Sequence, residues 1–184
     1  MNLLDSLLNA AGGGVVKEIA KNLGLNEDQA REGVRQLTPA LSRGISRNIK
    51  QPGGLDALLG ALGSGQHTRY IDQPELLGQK ETVDDGNGIL GHLLGSKDVS
   101  RNVAGHASQN TGIGSDVLKK MLPMVAAAAM GTIGQQTSGS GLLGQLTGGG
   151  QKDSGVAGLV EGFLDSDRDG AVVDDLLSMA KKFF

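Results

Sequence analysis

The feature that most constrains the fold is an apolar residue at every third or fourth position between residues 30 and 49. This spacing places the residues on one face of an α-helix, which has about 3.6 residues per turn. Asn26 is a favourable N-cap, and Gln29 occupies the capping-box position after it. The segment is predicted to be a long amphipathic helix, with Arg43, Arg47 and Lys50 on the solvated face. Its apolar stripe is Ala30, Val34, Leu37, Leu41, Ile45 and Ile49.

A second segment has the same organisation as the first. In each, a short helical stretch ends at a glycine, Gly24 or Gly112, and a longer helical stretch containing Pro39 or Pro123 follows. A proline inside a helix removes a hydrogen bond and clashes with the preceding turn, so each long helix is expected to bend or break. Ser115 is predicted to cap the second long helix. We interpret the segments as two pseudo-repeated helix pairs that pack around a pseudo-symmetric core.

No segment alternates apolar and polar residues as a half-buried strand does, so the predicted fold class is all-α. Glycine accounts for 31 of 184 residues and aromatic residues for only 2%. We predict a helical domain over 1–136, in which a flexible 63–88 segment, anchored at Tyr70, joins the two helix-pair units. A Gly-rich flexible linker is predicted over 137–155, followed by a C-terminal EF-hand-like helix–loop–helix over 156–184.

An acidic loop near the C-terminus is the one pattern in the chain that specifies a ligand. Three aspartates at alternate positions precede Gly170, as at the start of an EF-hand calcium loop. Calcium takes about six to eight oxygen ligands, and alternate side chains of a tightly curled loop converge on one point. The predicted cofactor is therefore calcium, with the candidate ligands Asp165, Asp167, Asp169, the main-chain oxygen of Ala171, and Asp175.

The acidic loop departs from the EF-hand pattern at its end. Leu176 stands where an EF-hand has a bidentate glutamate, so Asp175 would close a shortened loop. Apolar residues at helical spacing on both sides favour a helix–loop–helix. The alternative is that the aspartates stabilise the first turn of a helix without metal. Calcium is favoured because three close carboxylates repel one another when no cation is present.

Composition argues against several classes of function. The net charge of −3 gives no basic footprint for nucleic acid, and the lack of cysteine excludes disulfides and thiolate sites. Two matches to the dinucleotide-binding glycine pattern lack the required preceding strand. The stretch of residues 121–147 is uncharged but apolar only as far as Met130, which predicts no membrane span. The N-terminus lacks the basic region of a signal peptide, so a cytoplasmic location is expected.

Several stretches resemble an uncharacterised bacterial family, the domain of unknown function 937, which is related to YidB-like proteins. The resemblance covers most of the chain. It implies a helical bacterial protein and brings no activity or catalytic residues with it. The stretches that carry it are residues 19–25, 37–41, 88–95 and 121–125, and the acidic C-terminal loop with the Asp174-Asp175-Leu176-Leu177 run that follows.

The leading functional prediction is a non-enzymatic interaction or scaffold protein that binds a protein partner or self-associates. The alternative is an enzyme with a site around His92 and the 63–88 segment. A pocket that gathers His92 with Asp84, Asp85 or His106 would favour the enzyme, whereas a closed helical core would favour the scaffold. No nucleophile–base pair can be identified from the sequence.

Overall fold

The structure is a computed structural model that describes residues 2–63 and 66–139. These two ranges contain helices and turns and no strand, which confirms the all-α fold class. The predicted calcium ligands and the helix–loop–helix over 156–184 lie outside the described residues. The α-helices are α1 (Leu3–Asn9), α2 (Gly14–Leu23), α3 (Glu27–Ile49), α4 (Gly54–Gly63), α5 (Arg69–Asp72), α6 (Lys80–Leu94), α7 (Lys97–Thr111) and α8 (Ser115–Gly139); 3₁₀ segments cover Ala10–Gly13 and Pro74–Gly78.

Helix α8 forms the centre of the domain. Every residue from Met121 to Gly134 is buried, and helices α1 to α7 all pack against α8. A helix that is apolar on every side belongs in a core, because no face of it is suited to water. The run Ala126–Ala129 has little side-chain bulk, so neighbouring helices can approach its backbone closely.

Helix α3 buries only one face, as its sequence predicts. All six residues of the apolar stripe are buried, and the capping box is present. The Gln29 backbone N–H donates to Asn26 Oδ1 at 2.8 Å, and the Asn26 N–H donates to Gln29 Oε1 at 3.1 Å. Arg47 is exposed, as expected, but it does more than face solvent. Its Nη2 donates to the Leu93 carbonyl at 3.0 Å and so satisfies a carbonyl at the end of α6.

The two internal prolines do not break their helices. Helix α3 continues through Pro39, and α8 continues through Pro123. The expectation of a break at either proline is therefore wrong, because packing of each helix in the domain supports it through the missing hydrogen bond. That the helices bend there stays a prediction. Helix α6 crosses α8 at Pro123, where a Cβ on Gly86 would collide with the proline carbonyl group. Glycine at position 86 permits this close approach.

Both predicted helix pairs are present. Helices α2 and α7 end at Gly24 and Gly112, which have left-handed φ values of 66° and 71° and allow the chain to turn into α3 and α8. Ser115 is the first residue of α8, so the predicted cap is displaced by one position. That the two pairs are pseudo-repeats and pack around a pseudo-symmetric core stays a prediction.

The connection between the pairs contains more regular structure than its composition suggests. Helix α5, the 3₁₀ segment Pro74–Gly78 and the first half of α6 lie between residues 69 and 88. Tyr70 and Leu77 are both fully buried, so the anchoring role expected for Tyr70 has a structural basis. Glycines that suggested a loop lie inside α6, and one of them, Gly86, is needed for its contact with α8. The flexibility of the 63–88 segment stays a prediction.

Candidate functional site

A cavity of about 210 Å³ lies between α3, α4 and α6, with α8 behind it. Small residues of α4, including Ala57 and Ala61, form part of the wall and leave the space unfilled. The larger apolar side chains of the wall come from α3, α4, α6 and α8. They are Ile45, Ile49, Leu58, Ile89, Leu93 and Met130.

Three polar residues also line the cavity: Asn48, His67 and His92. Asn48 Nδ2 donates to the His92 carbonyl at 2.9 Å and helps to fix the end of α6 against α3. Of the lining residues within the described ranges, none is a lysine, an arginine, an aspartate or a glutamate. The wall therefore offers hydrogen-bonding groups but no permanent charge.

His67 is partly buried beside α5 and α8. Among the described residues its buried Nδ1 has no hydrogen-bond partner, which is uncommon for a buried polar atom. Burial lowers the pKa of His67 from its ordinary value, a nearby Asp85 opposes this shift, and Arg69 adds to it. The imidazole ring lies 6.1 Å from the ring of Tyr70. His67 is therefore held in its neutral form near neutral pH.

A polar network next to the cavity joins α5 to α6. The buried Tyr70 hydroxyl donates to Asp85 Oδ2 in a short hydrogen bond and accepts from Arg69 Nη2 at 2.8 Å. Arg69 Nη2 also donates to Asp85 Oδ2 at 3.2 Å. Burial is the largest cause that raises the pKa of Tyr70, and the hydrogen bond to Asp85 raises it further. The protonated phenol of Tyr70 and the Asp85 carboxylate, which accepts from two donors, hold α5 against α6. A carboxylate engaged in this way is a poor general base.

The residues named for the enzyme alternative are only partly brought together. His92 lines the cavity, and so does His67, which the sequence did not single out. Asp84 is exposed in an ion pair with Lys80, and His106 is exposed on α7 outside the cavity. Sequence alone gave no signal for the pairing of His67 with His92, because no metal-ligand spacing relates the two.

Metal binding by the helical domain has no support in the part of the chain that the structure describes. Over these residues, no group of three or more His, Cys, Asp or Glu side chains could hold a metal ion. The five candidate calcium ligands, Asp165, Asp167, Asp169, Ala171 and Asp175, all lie beyond residue 139. Calcium binding by these five residues stays a prediction from the sequence.

Within residues 2–63 and 66–139, one helix meets the length and composition criteria for a membrane span. The segment Ser115–Gln136 of α8 has a mean hydropathy of 1.2 in its most apolar window, and 83% of that window is buried within the protein. Length and composition do not distinguish a span from a core helix, and burial among neighbouring helices is the property of a core helix. The absence of a membrane span stays a prediction.

Comparison with known proteins gives a family but no activity. No curated protein and no solved structure matches the chain. The match to a family model covers residues 5–136, from α1 nearly to the end of α8. The chain therefore belongs to the family described as bacterial protein of unknown function (DUF937).

Proposed function

We propose that this protein is a non-enzymatic helical interaction protein whose C-terminal acidic loop binds calcium. The observation that carries the first part is the composition of the cavity wall. His67 and His92 line it, but among the described residues of the wall none has a hydroxyl, a thiol or a carboxylate side chain. An imidazole that acts as a base in covalent catalysis needs a nucleophile to activate. Neither imidazole has one among the described residues of this wall.

The calcium part of the proposal is supported by the spacing of Asp165, Asp167 and Asp169 before Gly170. Calorimetric titration of the full chain tests it. We expect calcium-dependent heat from the wild type and at least a tenfold weaker affinity for Asp167→Ala. Asp116→Ala, an exposed aspartate at the start of α8, is the matched control and should bind as the wild type does. No heat at millimolar calcium would favour the acidic helix cap instead.

Two further variants test how the loop closes. If the loop is shortened, Asp175→Ala should weaken calcium binding and Leu176→Glu should add little. If the loop has the standard length, Leu176→Glu supplies the bidentate ligand and should strengthen binding. Magnesium should replace calcium poorly in either case, because it requires a tight octahedron and dehydrates reluctantly.

For the interaction role, we propose that an acidic partner docks on the basic end of α3. Arg43, Arg47 and Lys50 are exposed there. Arg43→Glu should abolish site-specific photo-crosslinks formed in cells from a probe placed at Lys50, whereas Arg101→Glu on α7 should leave them unchanged. Sedimentation velocity of the purified protein, with and without calcium, shows whether the docking partner is a second copy of this chain or another protein. Crosslinks that persist in Arg43→Glu would argue against this surface.

A second candidate function, an enzyme, is favoured by the presence of His67 and His92 in the same cavity wall. A screen with chromogenic ester, phosphate and amide substrates tests it. Turnover that is lost in His92→Phe but kept in His106→Phe, whose histidine is exposed outside the cavity, would establish the enzyme and overturn the first proposal. The absence of turnover that depends on His92 is the result that we expect.

A further inference from the structure

We infer that the cavity between α3, α4 and α6 is a binding site for a compact, uncharged and largely apolar molecule, about the size of benzyl alcohol. This inference goes beyond the proposed function, because neither calcium nor a protein partner enters it. It rests on the size of the cavity, on the chemistry of its wall, and on the contacts that hold α3 against α6.

The size of the cavity selects the size of the ligand. The cavity measures about 210 Å³. In another protein, an engineered apolar cavity of roughly 150 Å³ binds benzene. The larger volume found here accommodates one ring with a short substituent. A longer chain or a fused multi-ring molecule would need the surrounding helices to move.

The chemistry of the wall selects an uncharged ligand. Six large apolar side chains line the space, and none of the described residues that line it is a lysine, an arginine, an aspartate or a glutamate. The cavity is partly open, since Ala57 and His92 are exposed, but an ionised ligand would still lose part of its hydration there and gain no counter-charge from the described wall. Burial, which lowers the pKa of His67, keeps this imidazole neutral as well. Asn48, His67 and His92 are left to hydrogen-bond a hydroxyl or a similar neutral group.

Contacts between α3 and α6 keep the two helices from shifting to close the cavity. Arg47 and Asn48 of α3 bind the carbonyls of Leu93 and His92 at the end of α6. Gly44 packs so closely on Leu93 that an added Cβ would lie 2.9 Å from its carbonyl oxygen. On the side of α4, the short side chains of Ala57 and Ala61 cannot reach across. The space is therefore a consequence of fixed helix positions and small residues.

Three ligands with the same ring test the inference: benzyl alcohol, benzoate and benzylammonium. Each is titrated into the full-length, isotope-labelled protein at pH 8, and amide and methyl NMR shifts are followed. We expect saturable shifts at Ile45, Ile89 and Met130 with benzyl alcohol, at a dissociation constant of about 1 mM or lower. Both charged analogues should bind at least tenfold more weakly. No saturable shift with benzyl alcohol, or equal affinity for all three ligands, would overturn the inference.

Filling the cavity provides the matched protein variants. Ala61→Leu should weaken benzyl alcohol binding at least tenfold, because the added methyl groups occupy the site. Val99→Leu on α7 is the control, since Val99 is 41% exposed and does not line the cavity. Ile89→Phe is a second filling variant from the opposite wall, for use if Ala61→Leu does not fold. Benzyl alcohol that binds the filled variants and the wild type equally would place its site elsewhere and refute the assignment.

Discussion

Helices α3 and α8 are the two long helices of the described domain, and each contains a proline, yet their surroundings differ. Helix α3 buries a stripe and leaves side chains such as Arg35 and Arg43 in solvent, whereas α8 is buried on every side from Met121 to Gly134. The stripe of α3 is visible in the sequence because a solvated face contrasts with it. Helix α8 has no such contrast over its buried length. The comparison shows that a helix can be central to a fold without showing amphipathic periodicity.

Small residues, both in α8 and in the α6 helix that packs on it, allow α8 to lie at the centre of the domain. The alanines at 126–129 lie in its interior, Gly86 of α6 packs on the backbone at Pro123, and Gly131 approaches His67 and Ile71. A Cβ on Gly131 would lie 2.5 Å from the His67 carbonyl oxygen. Close-packed interiors leave no space for such an atom. In α3 the glycines are mixed, since Gly44 also meets backbone at Leu93, whereas Gly33 meets the flexible end of Met121, which can move aside.

The largest expected effect comes from a charge placed on each helix. Ala127→Asp in α8 should destabilise the protein by about 4 kcal/mol or more, because the carboxylate is buried without a partner. Ala40→Asp in α3, where the side chain is only partly buried, should cost about 1 kcal/mol or less. Urea denaturation followed by circular dichroism measures both. Similar losses in the two variants would show that α8 is not buried more completely than α3.

A smaller effect is expected from two glycines of α6. Gly86→Ala should cost about 2–3 kcal/mol, because the new Cβ meets the backbone of Pro123 and one helix must shift. Gly88→Ala is the matched control. No atom lies within 4 Å of its added Cβ, and alanine should stabilise the helix by about 0.5–1 kcal/mol. Thermal denaturation gives the sign of each change, and a loss of stability in Gly88→Ala would contradict the packing of α6 described above.

Replacing the two prolines is expected to change stability by an intermediate amount. Pro39→Ala should stabilise α3 by about 1–2 kcal/mol, because alanine restores a backbone donor and a better helix former at a partly exposed position. Pro123→Ala should gain less, because the ring is buried and its packing contacts are lost. Chemical denaturation of both variants tests the order. A larger gain at position 123 would mean that the buried ring strains α8 more than it packs.

The smallest effect concerns the beginnings of the two helices. Asn26→Ala should cost about 1 kcal/mol, because it removes the oxygen that accepts the hydrogen bond donated by the Gln29 backbone N–H. Ser115→Ala should change stability by less than about 0.5 kcal/mol, since Ser115 is the first residue of α8 and alanine favours the helix. Equal losses of stability in the two variants would show that Ser115 does cap α8.

Local features of the sequence determined much of the helical framework. The stripe and the capping box define α3, and Gly24 and Gly112 mark the ends of α2 and α7, because periodicity, caps and left-handed turns depend on residues close together in the chain. The acidic loop is also a local pattern, and calcium binding there stays a prediction.

Only the tertiary structure decided which distant residues meet. Three examples involve residues from different parts of the chain. His67 and His92 line one cavity, Tyr70 binds Asp85, and Gly86 contacts Pro123. Gly86, one of the glycines that suggest a loop between residues 63 and 88, forms a close contact of α6 with α8, whereas Gly88 has open space around it. Such contacts depend on how every helix packs around α8, and this long-range packing outweighs the local propensity of glycine to interrupt a helix.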